Sequence, residues 1–240
     1  LVAHRRINMK ALDIDFLAFS AHKIYAPFGS GMLLARRDLL NFSSEKFASI
    51  QASGESNVAG IAALGTSLSL LQRIGMEIIE AKERELTAYA LREMATVPGM
   101  KFYGISDPES PSFAFKLGVI PFDLNGIIAF KVSRELAERR GIGVRHGCLC
   151  AHILVKHILK VGPKLEKFQW LIQTLFPKIS LPGIVRVSLG IENSHEEVDV
   201  LVQTLKKITH KKDNCEISAK EIKKKIDRFV EERSEKVFGS

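Results

Sequence analysis

Short apolar runs alternate along this chain with stretches whose apolar residues recur every three or four positions, and this alternation restricts the fold more than any other feature. DFLAF (15–19) and GMLLA (31–35) bracket a Gly- and Pro-rich turn and read as short buried strands. Asn57 is placed to cap a helix with Ile61, Leu64, Leu68 and Leu71 on one stripe, and a second long helix covers about 76–95, up to the turn VPGM. Strands are expected near 101–103 and 112–117, then a helix from Asp123 to about Arg140 stopped by Gly141, then a strand over 142–145. After a mostly helical stretch to about Phe176, LPGIVRVSLG supplies a turn and a strand. Ser194 and Glu197 make a capping box ahead of the stripe Val198, Leu201, Val202, Leu205 and Ile208; Ser218 and Glu221 repeat it before Ile222, Ile226, Phe229 and Val230. Strands interleaved with helices in this way predict an α/β or α+β fold and argue against a helical bundle.

With 240 residues and 46% hydrophobic content, the chain can bury one large core or two smaller ones. No run reaches the ~18 uninterrupted apolar residues that a membrane span needs, so no membrane partner is expected. The opening LVAHRRINMK lacks the apolar stretch and cleavage site of a secretory signal, and three cysteines make no disulfide framework; both point to a cytoplasmic location. Of the net charge of +8, half lies in residues 206–240, where eleven Lys/Arg face seven Asp/Glu. Without interleaved aromatics this tail reads as a solvated helix face, and nucleic acid is not expected as a partner.

Lys23 closes an apolar run and enters the Gly/Pro turn. By position alone it reads as an exposed amine. Ser20 and His22 beside it offer hydrogen-bonding groups, and burial of the ammonium would lower its pKa toward that of a nucleophile. Gly29 and Gly31 let backbone pass close to a bound group, so a cofactor aldehyde carrying a phosphate would use every one of these features.

A second cluster is GIGVRHGCLCAH, residues 141–152. Cys148 and Cys150, with Arg145, His146 and His152 nearby, admit three readings: buried structural thiols, metal ligands, or a reactive thiolate favoured by neighbouring positive charge. A zinc site typically needs CxxC-like spacing and a second ligand pair, neither of which is present, so no metal is expected.

DIDFLAFSAHKIYAPFGSGML resembles the cofactor-lysine segment of the class V aminotransferase family of pyridoxal 5'-phosphate (PLP) enzymes, in particular group II cysteine desulfurases and selenocysteine lyases. The resemblance implies the aspartate aminotransferase fold (fold type I), with Lys23 as the cofactor lysine and Ser20 and His22 as phosphate contacts. GESNVAGIAALGTSLSLL is similar to the family's Gly-Thr-Pro-Asn segment, whose threonine reaches the phosphate of a neighbouring subunit; this implies a homodimer, with Asn57 as an accessory residue. Glu55 stands at the threonine's place, where an acidic side chain would repel a phosphate. Arg145-His-Gly-Cys-Leu-Cys150-Ala fits the family's Arg-x-Gly-x-x-Cys-Ala pattern, which puts Cys150 in the place of the persulfide-forming nucleophile and leaves Cys148 as an additional thiol that relays, resolves or packs.

IVRVSLGIENSHEEVD is similar to the segment in which an arginine clamps the substrate carboxylate, and Arg186 holds that place. Residues 152–183 are longer and more apolar than the usual path between these two motifs. Only 22 residues precede Lys23, too few for the rest of a fold-type-I cofactor site, so the chain reads as the C-terminal half of a larger enzyme. The expected division is the end of the large domain over 1–75, a small α+β domain over 76–210 and a basic helical tail over 211–240. The expected reaction is removal of sulfur from L-cysteine to give alanine and an enzyme persulfide, passed on to an acceptor protein. The rival expectations are transamination, elimination or epimerisation of another amino acid, or a non-catalytic module that binds a partner.

Overall fold

A computed structural model of the chain describes residues 1–27, 29–52, 57–160 and 183–213. Two compact units emerge. The first comprises Leu1–Ala88 with Ala114–Gly118 and Leu189–Asn193, and the second comprises the described parts of Tyr89–Phe113, Val119–Ser188 and Ser194–Ser240.

In the first unit β1 (Phe16–Ser20) and β2 (Gly31–Ala35) pair antiparallel, from Phe16 opposite Ala35 to Ser20 opposite Gly31. The runs read as strands are therefore strands, but they are not buried: Phe16, Leu33 and Leu34 are exposed. Two strands alone cannot cover both of their faces, whatever their hydrophobicity. The helices are α1 (Ser44–Ala52), α2 (Val58–Ile74) and α3 (Met76–Ala95), whose last residues belong to the second unit. Asn57 caps α2 as expected, its side chain accepting from Gly60 N–H at 2.9 Å. The buried face of α2 is Gly60, Leu64, Ser67 and Leu71; Ile61, expected on that stripe, is exposed. Leu64 and Leu71 join Ala21, Ile24, Ala26 and Ile79 in one core, so that the turn after β1 is itself a core element.

Charge fastens the start of the chain to α3. His4 Nδ1 bonds Glu83 Oε2, and Arg5 donates to Glu83 Oε1 (2.8 Å), to the His4 carbonyl (2.6 Å) and to the Lys116 carbonyl (2.8 Å). Burial pushes the Glu83 carboxyl up, but the hydrogen bonds and charges of His4 and Arg5 outweigh it and hold the group below the usual range.

The second unit is built on a four-stranded antiparallel sheet in the order β3–β4–β6–β5: β3 (Met100–Phe102), β4 (Val119–Leu124), β5 (Arg145–Gly147) and β6 (Ile184–Ser188). Its helices are α4 (Ala129–Arg140), α5 (His152–Ile158) and α6 (His195–Asp213). Ile120 and Phe122 of β4 lie opposite Val187 and Val185 of β6, and all four are buried together with Val132 and Leu136 of α4. The stripe Val198, Leu201, Val202, Leu205 and Ile208 of α6 is buried throughout, and Ser194 N–H donates to Glu197 Oε2 at 3.2 Å, one half of the expected capping box.

Three sequence expectations shift here. Residues 111–115 form a 3-10 turn, and the strand expected over 112–117 is instead β4, a few residues later. Pro121 obscured it, since proline is rare inside a sheet. Its carbonyl accepts from Tyr103 N–H at 3.0 Å, so the side of Pro121 that lacks an N–H faces the end of the short strand β3, where at most one ladder bond is lost. The helix expected from Asp123 starts at Ala129, because Asp123 belongs to β4 and Asn125-Gly126 makes a turn in which Ile127 N–H returns to the Leu124 carbonyl. The strand expected over 142–145 begins only at Arg145, since β5 takes its register from β6. Gly141, at φ 67°, closes α4 as expected. Glu55, the stretch 161–182, Cys215 and the tail with Ser218 and Glu221 lie outside the described residues. Among those described, no single helix is long and apolar enough to cross a membrane; α2 and α3 pass that test only as a pair, bent by 77°.

Candidate active site

The singled-out residues fall into two groups, one in each unit. Lys23 sits in a 3-10 turn, Ala21–Ile24, that leaves β1 directly and ends on Tyr25 in a left-handed conformation at φ 68°. Ala21 and Ile24 face the core at 0% and 1% exposure, which forces His22 and Lys23, between them, to the surface. The burial expected for the Lys23 amine is not found: apolar neighbours bury the turn, not the side chain.

This turn is pinned on several sides. Ser67 of α2 donates to the Ile24 carbonyl, and Ala21 N–H donates to the Ser30 carbonyl at 3.0 Å. Ser30 Oγ donates to the Gly60 carbonyl at 3.1 Å, and Asn57 Nδ2 to the Gly29 carbonyl at 3.0 Å. The Tyr25 hydroxyl accepts from Ile191 N–H at 3.1 Å. Asn57 therefore caps α2 and ties the far end of the Lys23 loop to it in one residue. The sequence reading missed Ser67, because a serine on a helical stripe reads as an interruption and not as a clamp.

In the second unit β5 and β6 place Arg145 directly opposite Arg186. The core face of β6 carries Val185 and Val187, so Arg186 and Arg145 stand on the other face. Like charges at opposed positions repel, unless an anion lies between them. Arg186 is half-buried, and its Nε is fully buried with no hydrogen-bond partner among the described residues. A buried, unsatisfied guanidinium donor beside a second arginine fits a carboxylate, which takes two parallel bonds from such a fork.

The cysteines follow β5 at once. A Cβ on Gly183 would lie 2.3 Å from the Gly147 Cα, so the two glycines let β5 and the start of β6 approach more closely than any side chain allows. The chain then turns sharply. Ala151 N–H donates to the Cys148 carbonyl at 2.8 Å across Leu149 and Cys150, both left-handed, at φ 54° and 60°. Cys148 is half-buried and Cys150 exposed at the turn's outer corner. The His146 ring stands edge-on to Phe130 of α4, with ring centres 5.5 Å apart. No group of three or more His, Cys, Asp or Glu placed to hold a metal occurs among the described residues.

The donor set around Lys23 also fits the cofactor expected there, with an exposed amine for an aldehyde and the Ser20 hydroxyl and His22 ring for a phosphate.

Comparison with known proteins identifies the family and the fold. A cysteine desulfurase from Cronobacter sakazakii is 32% identical over 227 residues, covering 86% of this chain and 48% of its own length. The apo structure of a cysteine desulfurase from Thermococcus onnurineus superposes with a TM-score of 0.62 at 26% identity, over 86% of this chain and 50% of that one. The structure of an Escherichia coli cysteine desulfurase in an S-sulfonic acid form gives a TM-score of 0.64 at 24% identity, over 87% and 49%, and shares the fold. The chain thus spans about half the length of the relatives it matches. The family model for class-V aminotransferases matches residues 1–201, and the chain belongs to that family, with the fold of the PLP-dependent cysteine desulfurases.

Proposed function

We propose that this chain carries the cofactor lysine, the carboxylate clamp and the sulfur-accepting thiol of a PLP-dependent cysteine desulfurase, which converts L-cysteine to alanine and leaves a persulfide on Cys150. The observation that supports it best is the β5–β6 pairing. It sets Arg186, with its unsatisfied Nε, opposite Arg145 and starts, three residues after Arg145, the turn that exposes Cys150.

PLP, when bound, withdraws electrons from the substrate amino acid and so makes its carbon–hydrogen and carbon–sulfur bonds labile. Lys23 holds that cofactor, with Ser20 and His22 on its phosphate, and its Nζ takes and returns protons at the substrate carbons. The turn's hydrogen bonds fix where that amine stands. Arg186 binds the substrate carboxylate through its guanidinium, with Arg145 adding positive potential on the same face. Cys150 attacks the substrate sulfur, the carbon–sulfur bond breaks, and the proton lost by the thiol balances the one gained by the alanine product. Exposure of Cys150 then lets an acceptor protein collect the sulfur. The working unit is proposed to be a cytoplasmic homodimer.

The test supplies PLP, L-cysteine and a reductant to the protein and measures alanine and sulfide beside Cys150→Ala. Product that disappears with the substitution is the expected result. Equal product from both proteins, or a keto acid in place of alanine, assigns the chain to transamination or elimination.

A further inference from the structure

We propose that Cys148 is a second catalytic thiol: it attacks the persulfide on Cys150, expels the terminal sulfur as hydrogen sulfide and closes a Cys148–Cys150 disulfide. This rests on the reading of Cys150 as the persulfide carrier.

The turn supplies the geometry. Cys148 and Cys150 flank Leu149, whose backbone is left-handed helical at φ 54°. Two Cα atoms on either side of one helical-type residue are about 5.4 Å apart by helix geometry, whichever the hand. A disulfide bridges Cα atoms ~4.4–6.8 Å apart, so the separation of the pair lies within that range, and closure asks only for a local rotation of the turn that brings the two Cβ atoms together. The bond from Ala151 N–H to the Cys148 carbonyl closes the turn, and Leu149 and Cys150 both take the left-handed region that non-glycine residues seldom adopt. Burial differs within the pair. Cys150 is exposed, where substrate and acceptor reach it, whereas Cys148, two residues earlier, is half-buried.

The chemistry balances without an outside oxidant. The Cys148 thiolate attacks Cys150 Sγ, the persulfide sulfur–sulfur bond breaks, and hydrosulfide leaves with the electron pair, taking up the proton that Cys148 gave away. The terminal sulfur is reduced to sulfide, and the two cysteine sulfurs end in a disulfide. A dithiol reductant must reopen that bond before the next cycle. Sulfide release thus becomes intramolecular whenever no acceptor is docked.

The test bypasses cysteine turnover. Inorganic polysulfide places a persulfide on accessible thiols with neither cofactor nor substrate; the protein is then desalted and followed by sulfide release, intact mass and non-reducing peptide mapping. Wild type is expected to lose the added sulfur about tenfold or more faster than Cys148→Ser, as expected for a thiol of the same turn, and to end two hydrogens lighter than the reduced chain, with Cys148 joined to Cys150. Retention of the added sulfur on wild-type Cys150, or its migration to Cys148, overturns the proposal. The wild-type map decides this even if Cys148→Ser folds poorly. Because loading needs no desulfurase activity, a negative result here leaves the proposed function standing, and loss of that function leaves this result readable.

Discussion

The Lys23 turn and the Cys150 loop are both short, tight and exposed at their reactive side chain, yet they are held in opposite ways. Buried Ala21 and Ile24 anchor the Lys23 turn, with bonds donated to it by Ser67, by Asn57 and, at the Tyr25 hydroxyl, by Ile191 N–H, and one given by Ala21 N–H to Ser30. Among the described residues, the Cys150 loop is held by one backbone bond across two left-handed residues, with Cys148 half-buried and Cys150 exposed. The contrast fits the roles proposed for the two groups. An amine that holds a cofactor and moves protons works by position, and a small displacement costs rate. A thiol that carries sulfur from substrate to acceptor must leave the site it enters, so a firm scaffold would work against it.

The largest expected effect is at the fixed end. Lys23→Ala removes both the cofactor amine and the proton carrier, and product formation should fall by at least ~10²–10⁴-fold, the range for loss of a positioned acid–base group alone. An intact rate would break the comparison at once. Ser67→Ala leaves the buried Ile24 carbonyl without its partner, at a cost of about 1–3 kcal/mol, read as a lower midpoint in urea together with weaker PLP retention. A stability loss with unchanged PLP retention would mean that the clamp serves the core and not the lysine. Asn57→Ala removes a helix cap and the bond to Gly29, for about 1 kcal/mol by the same measurement.

The His4–Arg5–Glu83 cluster adds a pH signature to the first unit. The Glu83 carboxyl has its folded value below the ordinary 4.5, so the stability it contributes is present above that pH and is lost as pH falls through the lowered value. Thermal melts of wild type and Glu83→Gln should differ at neutral pH and converge below pH 4.5. A gap that persists in acid would assign the effect to packing. The smallest effect is expected at the Cys150 loop. Leu149→Gly relieves a left-handed leucine and should leave stability unchanged or raised by up to about 1 kcal/mol, whereas a marked loss would show that this loop, too, is firmly held.

Much of this was legible in the sequence, and the failures have identifiable causes. The caps at Asn57 and Ser194 were readable, because capping is written in neighbouring residues. The α6 stripe and the β1 and β2 positions were readable from period and turn punctuation alone. The strand β4 was missed because Pro121 argues locally against a strand, and only the short neighbour β3 makes it tolerable. Exposure of β1 and β2 was missed because apolar composition predicts that a run is buried only if something covers it. At the site, Lys23, Cys150 and Arg186 were named from their motifs, but the opposition of Arg145 to Arg186 and the clamp of Ser67 on Ile24 join residues far apart in the chain. No local pattern records such pairs.

The central claim is that the pinned turn after β1 presents the cofactor lysine. Reduction with borohydride in the presence of PLP, followed by peptide mapping, tests it most directly. A single pyridoxyl group on Lys23 is the predicted result, and label scattered over surface lysines, or concentrated on another one, would contradict it.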